Sequence, residues 1–131
     1  MYFIFSEITE SAIESTNSTY QIIERRIYWL AAQAHCRAID GHLLALETKE
    51  EYDSISAIIS NGAYSFGLND IKVERKYVWE HSGQELGTYQ PWSTNEPTNT
   101  GYEDCGLFYY GRWVDVRCSY SVYFICEFPK E

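Results

Sequence analysis

The spacing of hydrophobic positions changes character along the chain. Residues 20–27 (YQIIERRI) concentrate aromatic and β-branched side chains and predict a first strand. From Trp29 the apolar positions recur as Trp29, Ala32, Cys36 and Ile39, one face of a 3.6-residue period, which predicts a helix ending at Gly41. The run HLLAL, 42–46, predicts a short buried strand. Thr48 followed three residues later by Glu51 matches a capping box and opens a second helix with Tyr52, Ile55 and Ile59 on its apolar side.

After Asn61-Gly62 the helical period is lost. Short aromatic-rich runs at 64–68, 77–80, 107–110, 112–114 and 122–128 predict strands, and Gly111 predicts a hairpin turn between two of them. The segment from about 81 to 105 is long, polar and nearly empty of aliphatic residues, a kind of loop that compact domains keep chiefly for function. Residues 1–18, rich in Ser, Thr and Glu, read as a lead-in, and 19–131 as one domain. Strand, helix, helix, then several strands predicts an α+β fold, with two helices segregated from antiparallel sheet.

Composition narrows the classes of ligand. The 131 residues hold 10 basic and 19 acidic side chains, a net charge of −9 that disfavours nucleic acid and anionic membranes as partners. No apolar run approaches the ~20 residues of a membrane span, so no membrane insertion is expected, and MYFIF is too short for a signal-peptide core. Asn17-Ser18-Thr19 is a glycosylation triplet. The four cysteines, Cys36, Cys105, Cys118 and Cys126, form no CxxC pair, which argues against a zinc knuckle. An even count suits two disulfides and an oxidising compartment, with three pairings open.

The stretch NEPTNTGYEDC, 95–105, is a dense set of oxygen donors, and calcium takes six to eight oxygens, several from carboxylates. Around it, GHLLAL after the Cys36 helix, SFGLND (65–70), YVWEHSG (77–83), PWSTNEP (91–97), EDCGLF (103–108), WVDVRC (113–118) and FICE (124–127) follow in order. Together they resemble the C-type lectin domain from about Tyr20 to Phe128. The resemblance implies a double-loop fold whose termini share one sheet, and the pairings Cys36–Cys126 and Cys105–Cys118.

It also implies a site. Glu96, Glu103 and Asp115 match family ligands of a Ca2+ that holds two neighbouring sugar hydroxyls, with Pro97 as the cis proline that aims the flanking side chains. Two positions depart from the family pattern. Its Glu-Pro-Asn reads Glu96-Pro97-Thr98, and its Trp-Asn-Asp reads Trp113-Val114-Asp115. Thr98 keeps one oxygen, whereas Val114 offers only its carbonyl. A second calcium position would use Asp70, Glu74 and Asp104, with Asn99 completing the shell. The plain alternatives are an Asx-turn at Asp70 and a solvated charge at Glu74.

The reading that follows is a secreted, calcium-dependent carbohydrate-binding domain acting through Glu96, Thr98, Glu103 and Asp115. The Glu-Pro start resembles family members that prefer mannose-, fucose- or N-acetylglucosamine-type hydroxyl pairs, and the resemblance implies a setting of innate recognition or glycan adhesion. The alternative is a lectin-like module that binds a protein partner and ignores sugar, served by exposed tyrosines around Tyr109, Tyr110, Tyr120 and Tyr123. Trp92, Tyr102, Tyr109 and Tyr110 are candidate ring faces for a sugar, although Trp92 and Trp113 suit the core better. His35, His42 and His81 read as isolated, no nucleophile–base arrangement is present, and an enzyme is not expected.

Overall fold

The computed structural model describes residues 18–98 and 101–129. The elements run β1 (Ser18–Ile27), α1 (Trp29–Ala38), β2 (His42–Leu43), α2 (Lys49–Ile59), β3 (Ala63–Asn69), β4 (Val78–Trp79), β5 (Cys105–Tyr109), β6 (Arg112–Val116) and β7 (Val122–Pro129). They form one seven-stranded sheet in the order β1-β7-β3-β5-β6, with β2 pairing β7 and β4 pairing β3. The expected α+β class holds. Its antiparallel character has one break, because β3 and β7 run parallel at Tyr64↔Tyr123 and Ser65↔Phe124.

Strand β1 pairs with β7 from Ser18↔Pro129 to Ile27↔Val122, which brings the two ends of the domain together. Helix α1 buries Trp29, Ala32 and Cys36, the stripe that the period predicts. Its end differs in detail from the expected glycine stop. The left-handed residue is Asp40, at φ 68°. Gly41 is there for space, since a Cβ would lie 2.5 Å from the Phe128 ring and 2.8 Å from the Glu127 carbonyl. Helix α2 carries the capping box as read, with Thr48 accepting from the Glu51 N–H and Glu51 accepting from the Thr48 N–H.

Only His42 and Leu43 of HLLAL pair as a strand, yet Leu43, Leu44, Ala45 and Leu46 are all buried. Leu44 N–H donates to the Ile125 carbonyl, and Ala45 N–H to the Glu127 carboxylate. The run is buried as predicted, but its backbone is satisfied piecemeal. The main core gathers Phe66, Trp79, Phe108 and Trp113 in edge-to-face and tilted ring contacts, with Leu68 buried in the same cluster. A smaller core under α1 contains the Cys36–Cys126 bridge.

Both expected disulfides are formed, Cys36–Cys126 spanning 90 residues and Cys105–Cys118 spanning 13. Loop-closure entropy favours the folded chain by about 3 kcal/mol for the short bridge and over ~4 kcal/mol for the long one. The first ties α1 to the last strand, and the second staples the foot of the long loop. At the Tyr110-Gly111 turn both residues take positive φ, so the predicted hairpin is built as a mirror-image turn.

Glu127, buried beside Cys126, accepts from Ala45 N–H at 3.0 Å and from the Ser18 hydroxyl at 2.8 Å. Burial still pushes its carboxyl up, from 4.5 to about 7. A carboxyl whose folded value is raised costs stability once ionised. That cost is absent below the unfolded value and grows as pH rises through the folded one. Glu127→Gln should therefore raise the melting temperature at pH 8 and lose that advantage below pH 4.5, a difference of at most roughly 3 kcal/mol. Melting curves at the two pH values in chelator test this. A shift equal at both would show that ionisation of Glu127 carries no cost.

Candidate functional site

The long loop leaves β4, crosses the top of the sheet and returns at Cys105, the first residue of β5. Trp92 anchors it. Its half-buried ring meets Tyr77 and Trp113 edge-on at 5.2 and 5.6 Å, and the Trp113 N–H donates to the Pro91 carbonyl. Asn95 takes a left-handed φ of 67°, which asparagine tolerates well, and the Glu96-Pro97 bond is cis. Trp113 is wholly buried, as the sequence suggested, whereas Tyr102, Tyr109 and Tyr110 stand exposed.

Four predicted site residues meet in one hydrogen-bond network. Asp115 N–H donates to Glu96 Oε1 at 3.1 Å. Thr98 N–H donates to Asp115 Oδ1 at 3.0 Å. The Thr98 hydroxyl lies 2.5 Å from Glu103 Oε1 and 3.0–3.1 Å from both Asp115 carboxylate oxygens. Thr98 therefore stands between two carboxylates. Burial, then the neighbouring Asp115 carboxylate, pushes the Glu96 carboxyl up to about 7. The donor set of three carboxylates and a hydroxyl, crowded until one carboxyl holds its proton more tightly, fits a hard cation.

A second group sits beside the first. Asp70, Glu74 and Asp104 offer carboxylate oxygens within 4.8 Å of one another. Asp70 N–H donates to the Asp104 carbonyl, and Asp70 Oδ2 accepts from Arg75 N–H at 2.7 Å. Asp70 Oδ1 and Asp104 Oδ1 are buried with no hydrogen-bond partner among the described residues. Burial is the largest cause that pushes the Asp70 carboxyl up to about 6, with Glu74 and Asp104 adding to it. Glu74 is raised as well. Buried carboxylate oxygens without donors, in a group of three clustered acids, suit a hard divalent cation by the chemistry of the donor set.

The Asx-turn alternative for Asp70 goes instead to its neighbour, since Asn69 Oδ1 accepts from Ile71 N–H. Glu103 and Asp104, adjacent in sequence, serve the two groups separately. Asn99 lies outside the described residues. Val114 pairs with Leu107 in the β5–β6 ladder, which leaves an apolar side chain where the family pattern has an amide.

Two arrangements escape sequence reading. The Tyr77 hydroxyl donates to Asp115 Oδ2 at 3.2 Å across 38 residues, and Asp115 in turn drives the phenol upward after burial. His42 and His81, which look isolated in sequence, stack with ring centres 4.4 Å apart, and His81 Nε2 lies 3.7 Å from Glu47 Oε1. Neither pair leaves a local signal, because the partners come from different elements.

Residues 25–128 match the family model described as Lectin C-type domain. Lectin BRA-3 of Megabalanus rosa is 35% identical over 118 residues, 86% of this chain and 68% of that protein. Collectin-10 of Xenopus tropicalis is 35% identical over 90% of this chain, which spans 44% of that longer protein. Among solved structures, the mouse scavenger receptor C-type lectin carbohydrate-recognition domain superposes with a TM-score of 0.80 at 27% identity, covering 88% of this chain and 93% of that one.

Tyr77→Phe should cost roughly 1–2 kcal/mol, because Asp115 is buried and loses a donor. Denaturant titration in chelator tests it, with a lower midpoint expected at unchanged slope. An unchanged midpoint would mean that the hydroxyl does not hold Asp115.

Proposed function

The chain belongs to the C-type lectin domain family, a family of non-enzymatic modules, and from that premise we propose that it is a secreted, calcium-dependent lectin domain. The observation that carries this reading is the network of Glu96, Thr98, Glu103 and Asp115 on the long loop, three carboxylates and a hydroxyl joined by hydrogen bonds. These residues would hold one calcium. Asp70, Glu74 and Asp104 would hold a second, with Asn99 completing that shell.

Bound calcium supplies the charge to which two neighbouring sugar hydroxyls bind. The protein supplies the rest. Glu96 and Glu103 accept hydrogen bonds from those hydroxyls, and Thr98 does the work of an amide with a single oxygen. Tyr77 and the Thr98 N–H hold Asp115 in place from two sides. The second calcium position would brace the loop, since Asp104 and Glu103 are consecutive and the Tyr77 hydroxyl reaches the Glu103 carbonyl. By its Glu-Pro start the site favours mannose, fucose or N-acetylglucosamine hydroxyl pairs. Both cysteine pairs are oxidised and no free thiol is present among the described residues, which supports an extracellular setting. Innate recognition or glycan adhesion suits a domain that resembles Collectin-10.

A second reading has its own observation. Tyr109, Tyr110 and Tyr120 are about half exposed, and Arg26 stacks over Tyr123 at 4.8 Å, an aromatic surface suited to a protein partner. No helix among the described residues is long and apolar enough to cross a membrane.

Retention on immobilised mannose in calcium, with release by chelator and weak retention on galactose, is the expected outcome. A calcium-induced rise in melting temperature should accompany it. Retention on neither resin with no thermal shift would sink the lectin reading, whereas a thermal shift without retention would favour the protein-partner reading. Glu96→Gln should abolish retention while the apo melting temperature holds or rises; unchanged retention would move the site elsewhere.

Restoring the amides offers an independent check. Thr98→Asn with Val114→Asn should lower the calcium concentration for half-maximal stabilisation by roughly three-fold or more, as added oxygen ligands tighten such sites. Calcium titration followed by melting reads this directly. No change would mean that neither position faces the ion.

A further inference from the structure

A cleft of about 380 Å³ lies between the loop that joins β3 to β4 and the long loop, walled by Arg75, Lys76, Glu85, Gln90, Trp92 and Pro97 among others. Pro97 is the link to the site, because it separates Glu96 from Thr98. A saccharide held at those two residues and longer than one ring has this cleft as a neighbouring space. Gln90 shapes the far wall. Its Oε1 accepts from the Trp92 ring N–H at 3.1 Å and its Nε2 donates to the Gly87 carbonyl at 2.8 Å, so its amide is committed to the fold.

The charge here is opposite to that of the molecule. In a chain with net charge −9, three of the ten basic residues, Lys72, Arg75 and Lys76, fall within five positions, and all three are exposed. Two of them line the cleft. Of the carboxylates nearby, the exposed Glu85 lies 3.4 Å from Lys76, a pair that an incoming anion would have to exchange, and Glu74 belongs to the group with Asp70 and Asp104. Arg75 also holds a left-handed φ of 72°, a conformation that favours glycine, and its N–H is bonded to Asp70. Glycine at this position would be unstrained, so the Arg75 side chain can be removed without a backbone penalty.

We propose that this cleft is an extension of the saccharide site that takes an anionic substituent, a sulfate ester or a carboxylate, on the ring next to the one held at Glu96 and Thr98. Arg75 and Lys76 are the binding groups, and the half-buried Trp92 ring forms the wall against which that second ring packs. The inference rests on the proposed sugar reading of the Glu96 site and adds its ligand class. Guanidinium and ammonium groups bind both anions by charge-assisted hydrogen bonds, so the chemistry is shared and the source is left to the probes.

The test uses the whole chain in calcium and three labelled mannose disaccharides: neutral, with a sulfate ester on the second ring, and with a uronic acid as the second ring. Fluorescence anisotropy at low salt should find at least one charged probe bound roughly three- to ten-fold more tightly than the neutral one. That preference should shrink in 0.5 M salt as screening increases (roughly 4 Å Debye length). In Arg75→Gly with Lys76→Gln, where the glycine suits the backbone, the ratio of charged to neutral affinity should fall to near one. Neutral binding without any preference for either charged probe overturns this inference alone. A preference that survives the double variant also overturns it. Binding of none of the three overturns the sugar reading and this inference with it.

Discussion

Strand β7 is the constraint on which the other elements depend. It pairs antiparallel with β1 along nearly the whole strand, with β2 at His42 and Leu43, and parallel with β3. It also carries Cys126, bridged to α1, and Glu127, whose carboxylate takes the N–H of Ala45. Most of these contacts join residues about 60 to more than 100 positions apart, so no part of the chain reaches them until the whole chain has closed. Once β7 is in register, β3 lies beside it, and β5 and β6 add on at the far edge. The long loop must then run from β4 to β5 across one end of the sheet.

That enforced crossing explains the crowding of acids. Asp70 follows β3, Asp104 precedes β5, and Asp115 sits in β6, so a sheet of fixed order delivers carboxylates from three places to one end of the sheet. Two responses are visible. At Asp115 the fold supplies neutral donors: Tyr77, the Thr98 N–H and the Thr98 hydroxyl. At Asp70 and Asp104 it supplies less, and one oxygen of each is left buried without a donor among the described residues. The first group's carboxylates are met by donors from the chain itself, while the second keeps buried oxygens that the described residues leave unsatisfied. This contrast bears on the Thr98 departure, since the hydroxyl that replaces an amide also serves as the bridge between Glu103 and Asp115.

Local patterns carried much of this into the sequence. The Trp29, Ala32, Cys36 stripe, the Thr48–Glu51 box and the Gly111 turn are set within a few residues, and each stands where its pattern puts it. The ordered motifs gave the family and, through it, the two disulfide pairings and the candidate ligands. Strand ends were less legible: β5 begins at Cys105 and β6 reaches Val116, beyond the aromatic runs that marked them. Ladder pairing, not side-chain character, decides where a strand stops.

What the sequence determined by itself was therefore the set of oxygen donors, their order, and the helices and turns built from neighbours. What only the tertiary structure decided was which donors meet. Thr98 reaches Asp115, Tyr77 reaches Asp115, His42 stacks on His81, and Pro97 serves both the Glu96 network and the cleft beside it. The reason is physical. Periodicity and capping act over a few residues, but these contacts depend on sheet order and on the path of a loop with almost no periodicity. In that stretch only the folded backbone specifies which side chains meet.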